Sequence, residues 1–148
     1  MKNLLYLTLL LFAGVFITAC DKDEDHTHDD ETSEFDYRIV INSPSTEAKD
    51  IQDSIHLHVD FISDNSETVH HANVRIFSKS TGVEVYNAPE EAHVHETSGT
   101  FSWHDDFALT PENGIDGHSD WILEAKVWGH HEGSEEVTES IEFHVHDH

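Results

Sequence analysis

Cysteine is almost absent: the 148 residues hold one, Cys20. A lone thiol excludes an intrachain disulfide and any cysteine-rich metal site, so stability has to come from a packed core. Methionine is also single, at position 1. Without thioethers or spare thiolates, Cu(I) has no soft ligands to bind. Basic side chains are scarce, with 7 Lys and Arg against 31 Asp and Glu and a formal net charge of −24. Such a field repels phosphate backbones and anionic headgroups, which excludes nucleic acid as a partner class. The sequence contains no His-Glu-x-x-His, no nucleophile elbow and no glycine-rich phosphate loop, so nothing in it specifies catalysis and the expectation is a non-enzyme. No stretch carries a convincing apolar period of 3.6 residues, which argues against helices.

One long apolar run is present, Leu4 to Ile17, after the basic start Met1-Lys2-Asn3. It is short for a membrane span and sits where the apolar region of a signal peptide should sit. It ends in Ile17-Thr18-Ala19-Cys20, which resembles the lipobox of bacterial lipoproteins. The resemblance implies a signal peptide over 1–19 and lipidation of Cys20 as the first mature residue. Residues 21–31 follow without a single apolar side chain, so 20–34 is expected to be a lipidated, acidic, solvated tether that cannot pack. An acidic stretch directly after the lipid cysteine resembles the surface-export signal of Bacteroidota lipoproteins. That resemblance implies an outer-membrane, lipid-anchored protein expected to face outward, with the periplasmic face as the alternative.

From residue 35 onward the pattern becomes short alternating runs between polar turns. Ile55, Leu57, Val59 and Phe61 alternate with His56, His58 and Asp60, and Trp121, Leu123, Ala125 and Val127 alternate with Glu124 and Lys126. Period two with β-branched and aromatic residues specifies strands, here expected at 35–42, 53–62, 72–79, 83–87, 99–105, 119–128 and 136–146. Seven strands in this order suggest one all-β domain over 35–148, an immunoglobulin-like or fibronectin-III-like Greek-key sandwich without a disulfide. Its expected core holds Leu57, Val59, Val74, Ile76, Trp103, Leu123, Ala125, Phe143 and Val145. Trp128 shares parity with Glu124 and Lys126 and is expected on the outside.

Histidine is the anomaly of composition. There are 15, all after residue 25, and acidity alone does not account for them, since neutral imidazole solubilises poorly. They recur as His-x-His (His26/His28, His56/His58, His93/His95, His144/His146, His146/His148) and as the pairs His70-His71 and His130-His131. On a strand, residues i and i+2 share a face about 7 Å apart, so two such imidazoles can converge on one ion. Imidazole favours Zn²⁺, Ni²⁺ and Cu²⁺. In a Greek key the loops after the second, fourth and sixth strands lie at one end. They are expected to bring His70, His71, His93, His95, His130 and His131 to one tip as the main metal site. A second, weaker set is expected at the opposite end: His118, Asp120, His144 and His146, with Asp120 opposite His146 and His118 opposite His148. His56 and His58 are expected on the other sheet as an exposed polar face.

The lipobox, the acidic leader, the strand Ile55-His56-Leu57-His58-Val59-Asp60-Phe61, the segment Gly117-His118-Ser119-Asp120-Trp121 and the histidine-rich C-terminus together resemble small histidine-rich immunoglobulin-like surface lipoproteins of Bacteroidota. That resemblance of pattern implies fold and location and carries over no catalytic residue. The function expected is capture, buffering or transfer of a divalent transition metal, zinc first, with Ni or Cu(II) as alternatives. The partners expected are the ion itself, the membrane through the lipid, and an outer-membrane transporter or surface protein. The alternative is an adhesion or assembly module that binds another surface protein or a glycan.

Overall fold

The structure is a computed structural model that describes residues 36–129 and 136–147. The signal peptide, Cys20 and the tether lie outside the described residues, as do His130 and His131. Nine strands occur among the described residues: β1 Tyr37–Ser43, β2 Lys49–Asp50, β3 Ser54–Ser63, β4 Val69–Ser78, β5 Glu84–Ala88, β6 His93–Glu96, β7 Thr100–Ala108, β8 Ser119–Trp128 and β9 Glu136–His146. The only helical element among them is a single 3-10 turn, Pro111–Asn113, and none is long and apolar enough to cross a membrane.

The strands form two sheets. One has the order β1-β3-β7, and the other β2-β9-β8-β4-β5, with β6 paired to β4. Strict alternation decides which faces meet. In β3, Ile55, Leu57, Val59 and Phe61 are buried; in β8, Trp121, Leu123, Ala125 and Val127 are; in β9, Phe143 and Val145 are. These side chains join Val74, Ile76 and their neighbours in one apolar cluster between the packed sheets. A fully buried leucine or phenylalanine contributes roughly 1.5–3 kcal/mol. This cluster supplies the stability that no disulfide can.

Three expectations are corrected. The sequence reading of seven strands omitted β2 and β6, because a two-residue strand and a four-residue His-Val-His-Glu strand are too short to show a period. β4 begins at Val69, three residues before its expected start, so His70 and His71 lie within a strand and not in a loop. Trp103 is half-buried: it packs against the rim of the core and donates from Nε1 to the Tyr86 hydroxyl at 3.0 Å. Tyr86 in turn donates to Asp105 Oδ2 at 2.7 Å, and burial, followed by that hydrogen bond, raises its phenol pKa well above the ordinary value. This polar chain ties β5 of one sheet to β7 of the other. Trp128 lies on the outer face with Glu124 and Lys126, as its parity implies, but His71 stacks on its indole and leaves it only half exposed.

Candidate metal centres

Among the described residues, two places bring the ligand atoms of three imidazoles within 4.8 Å of one another, and each is built from residues distant in sequence. The first is His70, His93 and His95, the second His118, His144 and His146. Around a tetrahedral zinc, imidazole nitrogens sit 2.0–2.1 Å from the metal and hence about 3.3 Å apart. Closing from 4.8 Å requires each ring to move by about 1 Å, within the reach of side-chain torsions.

The first site arises from two irregularities. Burial along β4 changes phase, with Val69 and Ala72 both buried, so the adjacent His70 and His71 are both left half-exposed at the surface. Opposite them, β6 carries an extra residue: His71 pairs with His93 and Val69 with Glu96. The bulge is taken up where His95 adopts φ 55°, a left-handed conformation that a non-glycine residue adopts at a cost of order 1 kcal/mol. Val94 packs against the core, which leaves its neighbours His93 and His95 exposed. Ring centroids stand 5.1 Å apart for His70 and His95, and 5.2 Å for His93 and His95. His71 completes the group, 4.9 Å from His93 and stacked on Trp128 at 5.2 Å with 9° between planes. Gly99 clamps this end. Its φ is +78°, and a Cβ there would lie 3.0 Å from the Ser66 backbone. The turn before β7 and the turn before β4 are therefore pressed together. Four of the six histidines expected at one tip are thus neighbours, and His130 and His131 fall outside the described residues.

The second site lies on the outward face of β9, where His144 and His146 flank the buried Val145. Their rings are 4.6 Å apart, and His146 is 6.3 Å from His118. His118 also has positive φ, 51°. The expected register is corrected by two residues: Asp120 pairs with His144, and Ser119 with Val145. The expected turn is centred one residue too far along the chain, and the resulting two-residue slip keeps every side chain on its face, so alternation cannot detect it. The corrected register has a chemical consequence. His144 donates from Nδ1 to Asp120 Oδ1 at 2.7 Å, which orients the ring and leaves Nε2 to face a ligand. The His144 hydrogen bond lowers the Asp120 pKa, helped by the nearby Lys79 charge. On the other flank, His118 Nε2 lies 3.6 Å from Asp147 Oδ2. An open depression of about 400 Å³, lined by Lys79, Ser80, His118, Ser119 and Asp120, adjoins the triad.

Sequence reasoning missed Trp128 at the first site and Asp147 at the second. Trp128 was legible only through the β4–β8 register, in which it faces His71. Asp147 was legible as the residue that extends His144-x-His146. The chain was compared with protein-family models and with curated proteins, and it matches none.

Proposed function

We propose that this chain is a membrane-anchored lipoprotein that binds a divalent transition metal, zinc or a similar ion, through surface histidines, for capture, buffering or transfer. The observation that carries the reading is the paired triads, each of three imidazoles with ligand atoms within 4.8 Å of one another. Three neutral nitrogens with a fourth position open suit exchange better than a sealed structural site, which takes four protein ligands. The net charge of −24 concentrates cations within about one Debye length, ~8 Å at physiological salt. The lipobox Ile17-Thr18-Ala19-Cys20 supports anchoring at Cys20, and the acidic residues after it support export to the cell surface. The strand order β1-β3-β7 against β9-β8-β4-β5 supports an immunoglobulin-like Greek-key sandwich as the scaffold.

Zinc titration of the purified full chain by equilibrium dialysis tests the reading. Saturable uptake that loses one equivalent in His93→Ala/His95→Ala and another in His144→Ala/His146→Ala supports it. Uptake that never saturates and ignores both changes refutes it. The anchor is tested separately: Cys20→Ala should abolish labelling with fatty acid and release the protein from the membrane fraction.

A further inference from the structure

The outer face of the three-stranded sheet carries a histidine group that belongs to neither triad. β3 and β7 are antiparallel, with His58 directly opposite His104 and His56 directly opposite Asp106. Directly opposed residues on one face have Cβ atoms about 4.5–5.5 Å apart, and His56 lies one i+2 step from His58. The three rings therefore gather on one patch of sheet. Centroids are 4.1 Å apart for His58 and His104, 5.7 Å for His56 and His104, and 6.5 Å for His56 and His58.

With nitrogen 2.0–2.1 Å from a metal, a ring centroid lies about 3.2 Å from it, so two rings bound at 90–110° stand roughly 4.5–5.3 Å apart. The measured values fall on either side of that range, so to share an ion His58 and His104 must part and His56 must swing inward about their side-chain torsions. The rings of His58 and His104 stack at 29°, and turning them about the side-chain torsions exchanges stacking for convergence of the nitrogens.

Two of the rings are already oriented by carboxylates. His56 donates from Nδ1 to Asp106 Oδ1 at 2.9 Å, and His58 from Nε2 to Asp60 Oδ1 at 3.3 Å. Asp60 is itself held by Ser102 at 2.5 Å and Asn42 at 2.7 Å. A carboxylate behind each imidazole fixes the ring and raises the basicity of the opposite nitrogen, which is how ligating histidines are usually supported. His56 Nε2 and His58 Nδ1 remain to face an ion. His104 makes no hydrogen bond among the described residues and has both nitrogens to offer. The ligands come from two adjacent strands of one sheet face, so the fourth side stays open to water.

We infer that His56, His58 and His104 form a third, solvent-open site for a divalent transition ion that prefers imidazole, such as Cu²⁺ or Zn²⁺. This site rests on β3 and β7 and stands or falls independently of the two triads.

The test uses the full chain with Cu²⁺ as probe, read by equilibrium dialysis and by electron paramagnetic resonance. His104→Ala should lower copper capacity by one equivalent, both in the native chain and in a chain that also carries His93→Ala, His95→Ala, His144→Ala and His146→Ala. In the latter chain the lost signal should carry hyperfine structure from imidazole nitrogens, and Asp106→Asn should weaken that equivalent about tenfold. Capacity unchanged by His104→Ala in both backgrounds overturns the inference, as does a lost signal without nitrogen hyperfine structure. His104 is exposed, so its truncation leaves folding intact, and an unchanged thermal transition of the metal-free variant verifies that. If the triad substitutions change nothing while His104→Ala removes one equivalent, the proposed function of the triads fails and this site stands.

Discussion

At the β4–β6 end the imidazoles lean on one another and on an indole; at the β8–β9 end they lean on carboxylates. His71 stacks on Trp128 and touches His93, whereas His144 is held by Asp120 and His118 lies beside Asp147. Both ends use a histidine with positive φ, His95 and His118. The two lie near opposite ends of β8. Trp128 and Asp120 are eight residues apart on that strand, about 26 Å at 3.3 Å per residue, so the triads cannot share an ion. The lesson is about orientation. At the first site His71 stacks on Trp128, while at the second a carboxylate orients His144. A carboxylate raises the basicity of the nitrogen opposite it, so Asp120 is expected to tighten the second triad.

Removing ligands breaks the comparison most severely. His144→Ala/His146→Ala should abolish high-affinity binding at the second site and leave the first intact; His93→Ala/His95→Ala should do the reverse. Each pair should remove its share of the zinc-induced rise in melting temperature. One site contributes about 2.7 kcal/mol at a hundredfold excess of zinc over its dissociation constant. Calorimetric scans with and without zinc check both pairs.

Asp120→Asn sharpens the difference. It removes the charge behind His144 and should weaken the second site by roughly 10–100-fold while leaving the first unchanged. Isothermal titration of zinc into the variant and the native chain measures this.

Gly99→Ala acts only at the first end. Positive φ and the close Ser66 backbone together should cost at least about 1 kcal/mol of stability, read by denaturant unfolding, and should lower zinc affinity at His70, His93 and His95 but not at the other triad. The opposite sign is expected for His95→Gly and His118→Gly. Each relieves a left-handed backbone and should stabilise the metal-free protein by up to about 1 kcal/mol while weakening its own site.

The fold was legible to the extent that alternation was legible. The buried faces of β3, β8 and β9 follow directly from Leu57-Val59-Phe61, Leu123-Ala125-Val127 and Phe143-Val145, because a strand exposed on one side repeats every two residues. What alternation cannot see was missed. β2 and β6 are too short to show a period, and the phase change at His70-His71 turns two adjacent residues outward where a regular strand would bury one. The two-residue slip of β9 preserves every face and alters only the partners. At the sites, the sequence supplied the histidine pairs, and the topology expected from it brought His70, His71, His93 and His95 to one end. It gave no sign of His104, whose partner His58 lies on a strand that is not its neighbour in sequence.

The smallest effect expected is in acid. The folded pKa of Asp120 is below its ordinary 3.8, chiefly through the His144 hydrogen bond. Its contribution is therefore complete above about pH 4 and is lost as pH falls through the folded value. Asp120 is exposed, so the loss is slight. Melting temperatures of the metal-free native chain and Asp120→Asn should differ marginally at pH 6 and converge as the pH falls below the ordinary carboxylate range. Metal loss comes earlier, because protons compete with the ion for imidazole nitrogen.

The central claim is that histidines far apart in sequence make discrete sites, not a diffuse cation cloud. Equilibrium dialysis of the full chain against zinc at two ionic strengths, with and without the two double-alanine substitutions, tests it most directly. The account predicts saturable binding that scarcely changes with salt and loses one equivalent per pair removed. Uptake that falls steeply with salt and is the same in the native chain and both variants would contradict it.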